Sequence, residues 1–378
     1  MANRCKWGAF LWLMWFTSQP AFGSHYYVFV GSYNWDKTKN GIYVYELDTI
    51  SGALMPKSVV GGVLNPSFIS LSPNGEYLYA CTETQTAGAG SVTAFSFDTA
   101  SAQLSYINSQ RSEGENPVYF AIISSGWWLL NANYTEASVS AYSLSANGSI
   151  LPPTQVISFR DSSINRKRQD KAHIHAAVFS PNEDYIFFPD LGADKIRCYS
   201  FDGSTNHPLQ PAYYPYTKTY PGSGPRHIVF HPNGRFCYCI EEMGGAIEAF
   251  SYFDGKLKSL QRIFYHKKGR HKQYSGADIH ITPDGQMLIA SNRAKVNALS
   301  LFAIDPKTGF LTAIGKVSTH GDHPRMFDIS PDGKFVIVAN QLSGNLVVFK
   351  RDKVHNTLEY TGVNIDIPGA SCVQIRKY

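Results

Sequence analysis

The stretch that decides the fold is HPNGRFCYCIEEMGGAIEAFSYFD, residues 231–254. An Asn-Gly turn at 233–234 lies between two short segments rich in strand-forming residues, and this is the strongest short-range signal for a β-hairpin. A Gly-Gly pair at 244–245 then leads into a third segment, in which apolar residues alternate up to the aromatic residue Phe250. The stretch therefore predicts consecutive antiparallel strands.

The same elements recur along the chain. Segments that alternate in this way end near an aromatic residue about every 50 residues, at Tyr45, Phe95, Tyr142, Tyr199, Phe250, Phe302 and Phe349. A turn flanked by strands precedes all of these segments except the first. A period of about 50 residues with several short strands in each unit is typical of a β-propeller.

The two ends of the chain predict how the ring closes. The first unit lacks the hairpin and begins directly at YYVFVGSYN, residues 26–34, whereas the chain ends in a single strand-like piece, GASCVQIRKY, residues 369–378. A solenoid would instead carry polar capping repeats at its ends, and none is evident. We predict an all-β, seven-bladed β-propeller over residues 24–378, with four antiparallel strands per blade and the C-terminal strand in the first blade.

Composition agrees with a folded β protein. Hydrophobic residues make up 43% of the chain and charged residues only 17%, which argues against disorder. The formal charge of +5 includes Arg4 and Lys6 from the first 23 residues. The remaining excess of about three positive charges is too small for a dedicated nucleic-acid binder.

Residues 1–23 have the layout of a signal peptide. Basic residues precede the apolar run WGAFLWLMWF at 7–16, and the small residues Ala21 and Gly23 suit a cleavage site. This run is short of the ~20 residues needed to span a bilayer. We therefore predict an exported protein, periplasmic or secreted, without a membrane anchor.

The cysteines predict neither disulfides nor a zinc site. Beyond the leader the chain has an odd number of cysteines and no CxxC pair. We expect them to be small core residues: Cys81, Cys198, Cys237, Cys239 and Cys372.

Counting from the hairpin turns places a set of polar residues on one side of the ring. Positions equally distant from a turn lie beside each other across the two strands, so residues eight before and eight after each turn lie at the end opposite the turns, here called the rim. The earlier set is Ser67, Val118, His175, Arg226, Ala277 and Arg325. The later set is Glu83, Tyr134, Leu191, Glu242, Arg293 and Gln341. The leading strand of each hairpin is predicted to line the central channel.

Five charged or titratable members of these sets come from consecutive blades: His175, Arg226, Glu242, Arg293 and Arg325. Arginines, an imidazole and a carboxylate at a concave mouth fit a site for an anionic small molecule.

Other interpretations of the same residues remain open. Arg226 and Glu242, as predicted cross-strand neighbours, would also fit a plain salt bridge. His173 and His175 share a face, but the sequence offers no third ligand of fixed spacing, so no metal site is predicted. The basic run at 166–168 is typical of a solvated loop.

Long motifs in this chain resemble those of the seven-bladed propeller lactonases, which comprise the propeller-type 6-phosphogluconolactonases and the fungal-type carboxymuconate cyclases. The resemblance covers essentially the whole chain after the leader. It is carried by GSYNWDKTKNGIYVYELDTISGAL (31–54), RQDKAHIHAAVFSPNEDYIFFPDLGADKI (168–196), GPRHIVFHPNGRFCYCIEEMGGAIEAF (224–250), ADIHITPDGQMLIASNR (277–293) and HPRMFDISPDGKFVIVANQLSGNLVVF (323–349).

The resemblance implies roles for particular residues. The catalytic histidine of the family falls on His175, its carboxylate on Glu242, and its two substrate-binding arginines on Arg226 and Arg293. Further substrate-binding residues are predicted on the same rim: Arg325, His173, Arg168, Gln169 and Asp278. The chain departs from the family pattern at Ala294 and Lys295, where Gly and a polar residue are usual, and at Met326, where a small residue is common. These departures bear on the identity of the substrate.

The predicted activity is hydrolysis of a (phospho)sugar lactone such as 6-phosphogluconolactone. His175 would act as general base and then acid, the arginines would bind the anionic substrate, and Glu242 would orient Arg226 or act as a second acid–base group. No cofactor is predicted, and the protein is expected to be a monomer or a weak homo-oligomer. Two alternatives remain: a cycloisomerase acting on a muconate-type dicarboxylate, and a non-enzymatic binding scaffold.

Overall fold

The computed structural model describes residues 24–84, 86, 88–265 and 275–378. The signal peptide predicted at 1–23 lies outside these described residues. Within them the chain forms seven four-stranded antiparallel sheets. The predicted all-β propeller with seven blades is therefore confirmed.

The first blades follow the chain order. Blade 1 contains β1 (Tyr26–Ser32), β2 (Ile42–Leu47) and β3 (Leu54–Val60). Blade 2 contains β4 (Ile69–Leu71), β5 (Tyr77–Thr82), β6 (Ser91–Asp98) and β7 (Gln103–Arg111). Blade 3 contains β8 (Pro117–Ile122), β9 (Trp128–Asn133), β10 (Ser138–Leu144) and β11 (Ile150–Ser158). Blade 4 contains β12 (Val178–Phe179), β13 (Tyr185–Asp190), β14 (Lys195–Phe201) and β15 (Leu209–Lys218).

The remaining blades complete the ring. Blade 5 contains β16 (Pro225–Phe230), β17 (Phe236–Glu241), β18 (Ala246–Phe253) and β19 (Lys256–Phe264). Blade 6 contains β20 (Ser275–Ile281), β21 (Met287–Arg293), β22 (Ala298–Ile304) and β23 (Leu311–Ser318). Blade 7 contains β24 (Pro324–Ile329), β25 (Phe335–Asn340), β26 (Asn345–Asp352) and β27 (Thr357–Asp366), and β28 (Ala370–Lys377) ends the chain.

The C-terminal strand closes the ring as predicted. β28 pairs antiparallel with β1, with Val28 opposite Ile375, and is the first strand of blade 1 in the order β28-β1-β2-β3. β28 also packs against β24 of blade 7 and β4 of blade 2. The first strand of each sheet is therefore the innermost one, and the first and last described strands, β1 and β28, are paired in blade 1.

The core lies between neighbouring blades. The alternating apolar residues of the middle strands point out of both faces of each sheet and pack against the next sheet, as in the contact between Phe29 of blade 1 and Phe97 of blade 2. Of the repeat aromatics, Tyr142 and Phe250 have no exposed surface. The five cysteines within the described residues are free and buried, so their predicted role as core residues is confirmed.

Each hairpin turn requires a left-handed backbone conformation at its tip. Five of the tips use glycine, for example Gly234 with φ of 71°. Blade 4 uses Glu183 with φ of 61°, and its carboxylate accepts hydrogen bonds from the backbone N–H and the hydroxyl of Ser124 in blade 3. The tips therefore mark one side of the ring.

The strand register corrects one prediction, because the pairs are centred between Asn233 and Gly234 and not on Gly234, and a β-bulge follows. Arg226 was expected to pair with Glu242 across the hairpin, but Pro225 pairs with Glu241 and His227 pairs with Ile240. Arg226 is therefore the additional residue of a bulge, which re-aims its side chain relative to a regular strand. The same irregularity occurs after Pro117 in blade 3 and after Pro324 in blade 7, and proline is tolerated there because it begins the strand.

Candidate active site

The rim of blade 4 carries His173 and His175 on an irregular segment that precedes the short strand β12. The segment is held against β13 by hydrogen bonds from the N–H of His175 to the carbonyl of Pro189 (3.0 Å) and from the N–H of His173 to the carboxylate of Asp190 (2.8 Å). Both imidazoles are thereby fixed at the same end of the blade, as the shared face in the sequence predicts.

Glu242 is the centre of the site. Its carboxylate lies 2.6 Å from Nη2 of Arg168, 3.2 Å from Nε of Arg226 and 3.0 Å from Nη2 of Arg293. Burial alone would raise the pKa of Glu242, but the guanidinium groups of Arg293, Arg226 and Arg168 outweigh it and lower this pKa to about 2. Glu242 is therefore a carboxylate throughout the physiological pH range.

Arg226 is almost completely enclosed, with 1% of its surface exposed. Its Nη1 donates to the carbonyl of Ala277 and lies 3.2 Å from Nε2 of His227. Burial, followed by repulsion from Arg293, lowers the pKa of Arg226 to about 9. The guanidinium is therefore still positively charged at neutral pH.

Behind Arg226 the buried carboxylate of Asp278 lies between two histidines. Nδ1 of His227 is 2.8 Å from the carboxylate of Asp278, whose second oxygen is 3.0 Å from Nε2 of His280. Burial, together with Arg226, lowers the pKa of His227 to about 4. His227 is thus neutral, with Nδ1–H donating to Asp278 and Nε2 left to accept from Arg226. Asp278 therefore contacts the rim residue Arg226 only through His227.

His175 is a neutral imidazole in an aromatic environment. Its ring meets the rings of Tyr134 and His227 edge to face, with centroid distances of 5.3 Å in each case. Burial, followed by the positive charge of Arg226, lowers the pKa of His175 well below 6.5. Its Nδ1 atom is buried and has no hydrogen-bond partner among the described residues. A neutral imidazole is able to accept a proton.

Arg325 extends the cluster toward blades 1 and 2. Its Nη2 lies 3.2 Å from the carboxylate of Glu83, and its guanidinium lies 5.3 Å from the ring centroid of Tyr33. The Tyr33 hydroxyl donates to the same carboxylate over 2.5 Å. Arg293 also contacts His323, with 3.2 Å between Nη1 and Nε2. The positive groups therefore continue around the rim from blade 4 to blade 7.

The remaining predicted residues occupy different places. His173 stacks on Tyr134 with a centroid distance of 4.4 Å and its Nδ1 is 3.0 Å from the carbonyl of Tyr134. The Gln169 amide is buried, donates to the carbonyl of Leu191 and accepts from the N–H of Asn165. Gln169 therefore shapes the loop from which Arg168 reaches Glu242. Among the residues that the structure describes, no group of His, Cys, Asp or Glu side chains could hold a metal ion.

Several residues at the site were not singled out from the sequence. Glu83 and Tyr134 have the same offset from the hairpin turn as Glu242 and Arg293, so the spacing already indicated them. His227 contacts both Arg226 and His175, and no turn residue marks the bulge beside it. Tyr33 lies in blade 1, which has no preceding hairpin from which to count.

Three buried polar atoms at rim positions lack hydrogen-bond partners within the described residues: His175 Nδ1, Arg293 Nε and Gln341 Oε1. Buried polar groups are normally paired, because each unpaired one costs ~1–3 kcal/mol. Four arginines face two glutamates in the cluster described above, so it carries a net positive charge. The arrangement is suited to binding an anionic or strongly polar ligand beside a neutral imidazole.

Comparison with known proteins agrees with this fold and site. Residues 27–375 match the family model of the seven-bladed β-propeller lactonases. A 6-phosphogluconolactonase of Formosa agariphila is 40% identical over 354 residues, which are 93% of this chain and 99% of that protein. A 6-phosphogluconolactonase of Bacillus subtilis is 29% identical over 92% of this chain and 98% of its own length.

A solved structure of a gluconolactonase has the same fold as this chain. The periplasmic gluconolactonase of Pseudomonas aeruginosa superimposes with a TM-score of 0.87 at 33% identity, covering 93% of this chain and 99% of that one. In the described part of our chain no helix is long and apolar enough to cross a membrane. The chain belongs to the seven-bladed β-propeller lactonase family, and it is a lactonase.

Proposed function

We propose that the rim cluster hydrolyses the lactone form of a sugar acid, with His175 as the group that moves protons. The observation that carries this proposal is the buried, neutral imidazole of His175, which packs against His227 near the charge of Arg226 and whose Nδ1 has no hydrogen-bond partner among the described residues. The similarity to a 6-phosphogluconolactonase of Formosa agariphila and to a gluconolactonase of Pseudomonas aeruginosa supports a sugar lactone as the substrate.

The first step is attack of water on the lactone carbonyl. His175 accepts a proton from the water while the oxygen forms a bond to the carbonyl carbon, giving a tetrahedral intermediate with a negative oxygen. General base catalysis of this kind contributes ~10²–10⁴-fold to the rate. The lowered pKa of His175 keeps the imidazole in its accepting form at neutral pH.

The second step breaks the ring. Arg226 and Arg293 stabilise the negative oxygen with their charged N–H donors, which are fixed before the reaction begins. The bond from the carbonyl carbon to the ring oxygen then breaks, and protonated His175 returns its proton to that oxygen. The product is an open-chain hydroxy acid, which releases a proton to the solvent and leaves as its carboxylate.

Of the two roles left open for Glu242 by the sequence, orientation of the arginines is the one its chemistry supports. With a pKa of about 2 and three guanidinium partners it has no proton to give at neutral pH. His227 contributes to the same task, since its Nε2 lies against Nη1 of Arg226. We therefore assign proton transfer to His175 alone.

The location of the protein bears on the substrate. We propose that residues 1–23 direct export, in keeping with their signal-peptide layout and with the periplasmic gluconolactonase among the similar structures. Phosphorylated sugar lactones are intermediates of the cytosol, so an exported enzyme would meet an unphosphorylated sugar lactone.

The proposal is tested by following acid release from glucono-δ-lactone and from 6-phosphogluconolactone in ¹⁸O-labelled water, with spontaneous hydrolysis subtracted. We expect enzyme-dependent acid release, faster with glucono-δ-lactone, and incorporation of one solvent oxygen into the product carboxylate. Absence of any acceleration for these lactones would contradict the proposed hydrolysis. Preference for 6-phosphogluconolactone would contradict the assignment of an unphosphorylated substrate.

A further inference from the structure

A cavity of about 520 Å³ lies beside the rim in blade 1. Tyr33, Trp35 and Tyr43 supply aromatic rings to its wall, and Thr38, Lys39 and Asn40 supply polar groups. The proposed hydrolysis uses none of these residues.

Trp35 is the most unusual residue of this wall. Its side chain is 74% exposed, although a large aromatic side chain normally gains by burial. Its backbone has a φ of 56°, a left-handed conformation that is uncommon for a bulky residue. Strained conformations of this kind persist only where the surrounding structure enforces them, and they cluster at ligand sites.

The surrounding structure does enforce the conformation of Trp35. Its N–H donates to the side-chain oxygen of Asn65 over 2.8 Å, and the N–H of Asn65 donates to the side-chain oxygen of Asn34 over 2.8 Å. The Asn34 amide in turn donates to the carbonyls of Lys39 and Val63. Hydrogen bonds within this loop therefore fix the backbone that carries the exposed indole.

The indole is directly connected to the rim. It stacks on Tyr33 with a centroid distance of 5.2 Å and an angle of 22° between the rings. Tyr33 contacts Arg325 and Glu83, which belong to the rim. A molecule that extends from the rim toward blade 1 would therefore pass along these two rings.

We propose that the cavity beside Trp35 is a subsite for a second sugar ring, so that the preferred substrate is a disaccharide acid lactone, with a glycosyl group attached to the lactone ring. This inference rests on the proposed lactone hydrolysis. The C–H groups on one face of a sugar ring carry a small positive charge and pack on the negative face of an indole. The side chains of Lys39 and Asn40 form no hydrogen bond to other described residues, so their polar groups are available to sugar hydroxyls.

The test compares kcat/KM for the lactones of cellobionic acid and gluconic acid. In the wild-type protein we expect the disaccharide lactone to be preferred about tenfold. Trp35→Ala should remove this preference, and Trp35→Phe should retain most of it. A tenfold change corresponds to about 1.4 kcal/mol, within the ~0.5–1.5 kcal/mol typical of aromatic contacts.

Trp127→Ala is the matched control, because Trp127 is also exposed (52%) but lies next to a hairpin tip, on the side of the ring opposite the rim. It should leave both values of kcat/KM within twofold of the wild type. If Trp35→Ala lowered kcat/KM equally for the two lactones, or lowered neither value, the proposed subsite would be wrong.

A binding measurement with cellobiose tests the proposed subsite independently of the proposed hydrolysis. Titration of the wild-type protein with cellobiose should change its tryptophan fluorescence, and Trp35→Ala should abolish the change whether or not any lactone is hydrolysed. A fluorescence change that survives in Trp35→Ala, or no change in the wild type, would contradict the subsite. Failure of the wild type to accelerate hydrolysis of either lactone would contradict the proposed function instead.

Discussion

The imidazole of His227 bridges Asp278 and Arg226. Its Nδ1 is 2.8 Å from the carboxylate of Asp278, and its Nε2 is 3.2 Å from Nη1 of Arg226. The carboxylate selects the tautomer in which Nδ1 carries the proton, so Nε2 is free to accept from the guanidinium. A side chain buried in blade 6 thereby fixes the position of an arginine at the rim.

This relationship predicts the behaviour of variants at position 227. His227→Ala should lower kcat about 10–100-fold with little change in KM, because a loosely held Arg226 stabilises the transition state less well. His227→Asn, whose amide can still accept a hydrogen bond, should restore part of the loss. Steady-state kinetics on glucono-δ-lactone give both parameters.

His355→Ala removes an exposed histidine of blade 7 and serves as the control. A change confined to KM in His227→Ala, or equal rates for His227→Ala and the wild type, would contradict the positioning role of His227.

Glu242 predicts a large effect on stability. Glu242→Ala removes the common partner of Arg168, Arg226 and Arg293 and leaves buried positive charges unpaired. Loss of one partner of a buried ion pair costs ~3–5 kcal/mol. Urea unfolding should therefore show a loss of this size in the free energy of unfolding.

Lys334→Ala is the comparison, since it removes an exposed partner of Asp332. Its cost should stay within ~0–1 kcal/mol. A stability loss in Glu242→Ala no larger than that in Lys334→Ala would show that the arginine cluster does not depend on this carboxylate.

His280 predicts how stability depends on pH. Although burial lowers the pKa of His280, the charge of Asp278 outweighs it and raises this pKa to about 9. A histidine with a folded-state pKa above its unfolded value of 6.5 stabilises the fold fully below pH 6.5. This contribution is lost as the pH rises through about 9.

The free energy of unfolding, measured with urea from pH 6.5 to 9.5, should therefore decline in the wild type. His280→Gln should be less stable at pH 6.5 and should decline less over the same range. Parallel pH profiles for the two proteins would contradict a protonated His280 in the folded state.

The rim could be predicted from the sequence because the hairpin turns supply an origin for counting. Glu242 and Arg293 share an offset from their turns, and the structure brings both into one cluster. The bulge at Arg226 could not be predicted in this way, because it shifts the register by one residue after the turn has been counted. The predicted pairing with Glu242 was already one residue off before the bulge, because the pairs are centred between Asn233 and Gly234, yet the two side chains still meet.

Distances from the hairpin turns do not locate two other parts of the site. Asp278 was placed at the rim, but the bulge in β20 leaves it buried between His227 and His280. Tyr33 and Trp35 belong to blade 1, which the C-terminal strand completes and which therefore has no hairpin of its own. The contact of Tyr33 with Arg325 depends on ring closure, which joins residues far apart in the chain.

The most direct measurement is the rate of glucono-δ-lactone hydrolysis by His175→Ala compared with the wild type, with the far-UV circular dichroism spectrum and thermal unfolding used to establish that the variant is folded. Removal of the group that moves protons should lower kcat ~10²–10⁴-fold. A folded His175→Ala protein that hydrolyses the lactone at the wild-type rate would contradict the assignment of catalysis to this histidine.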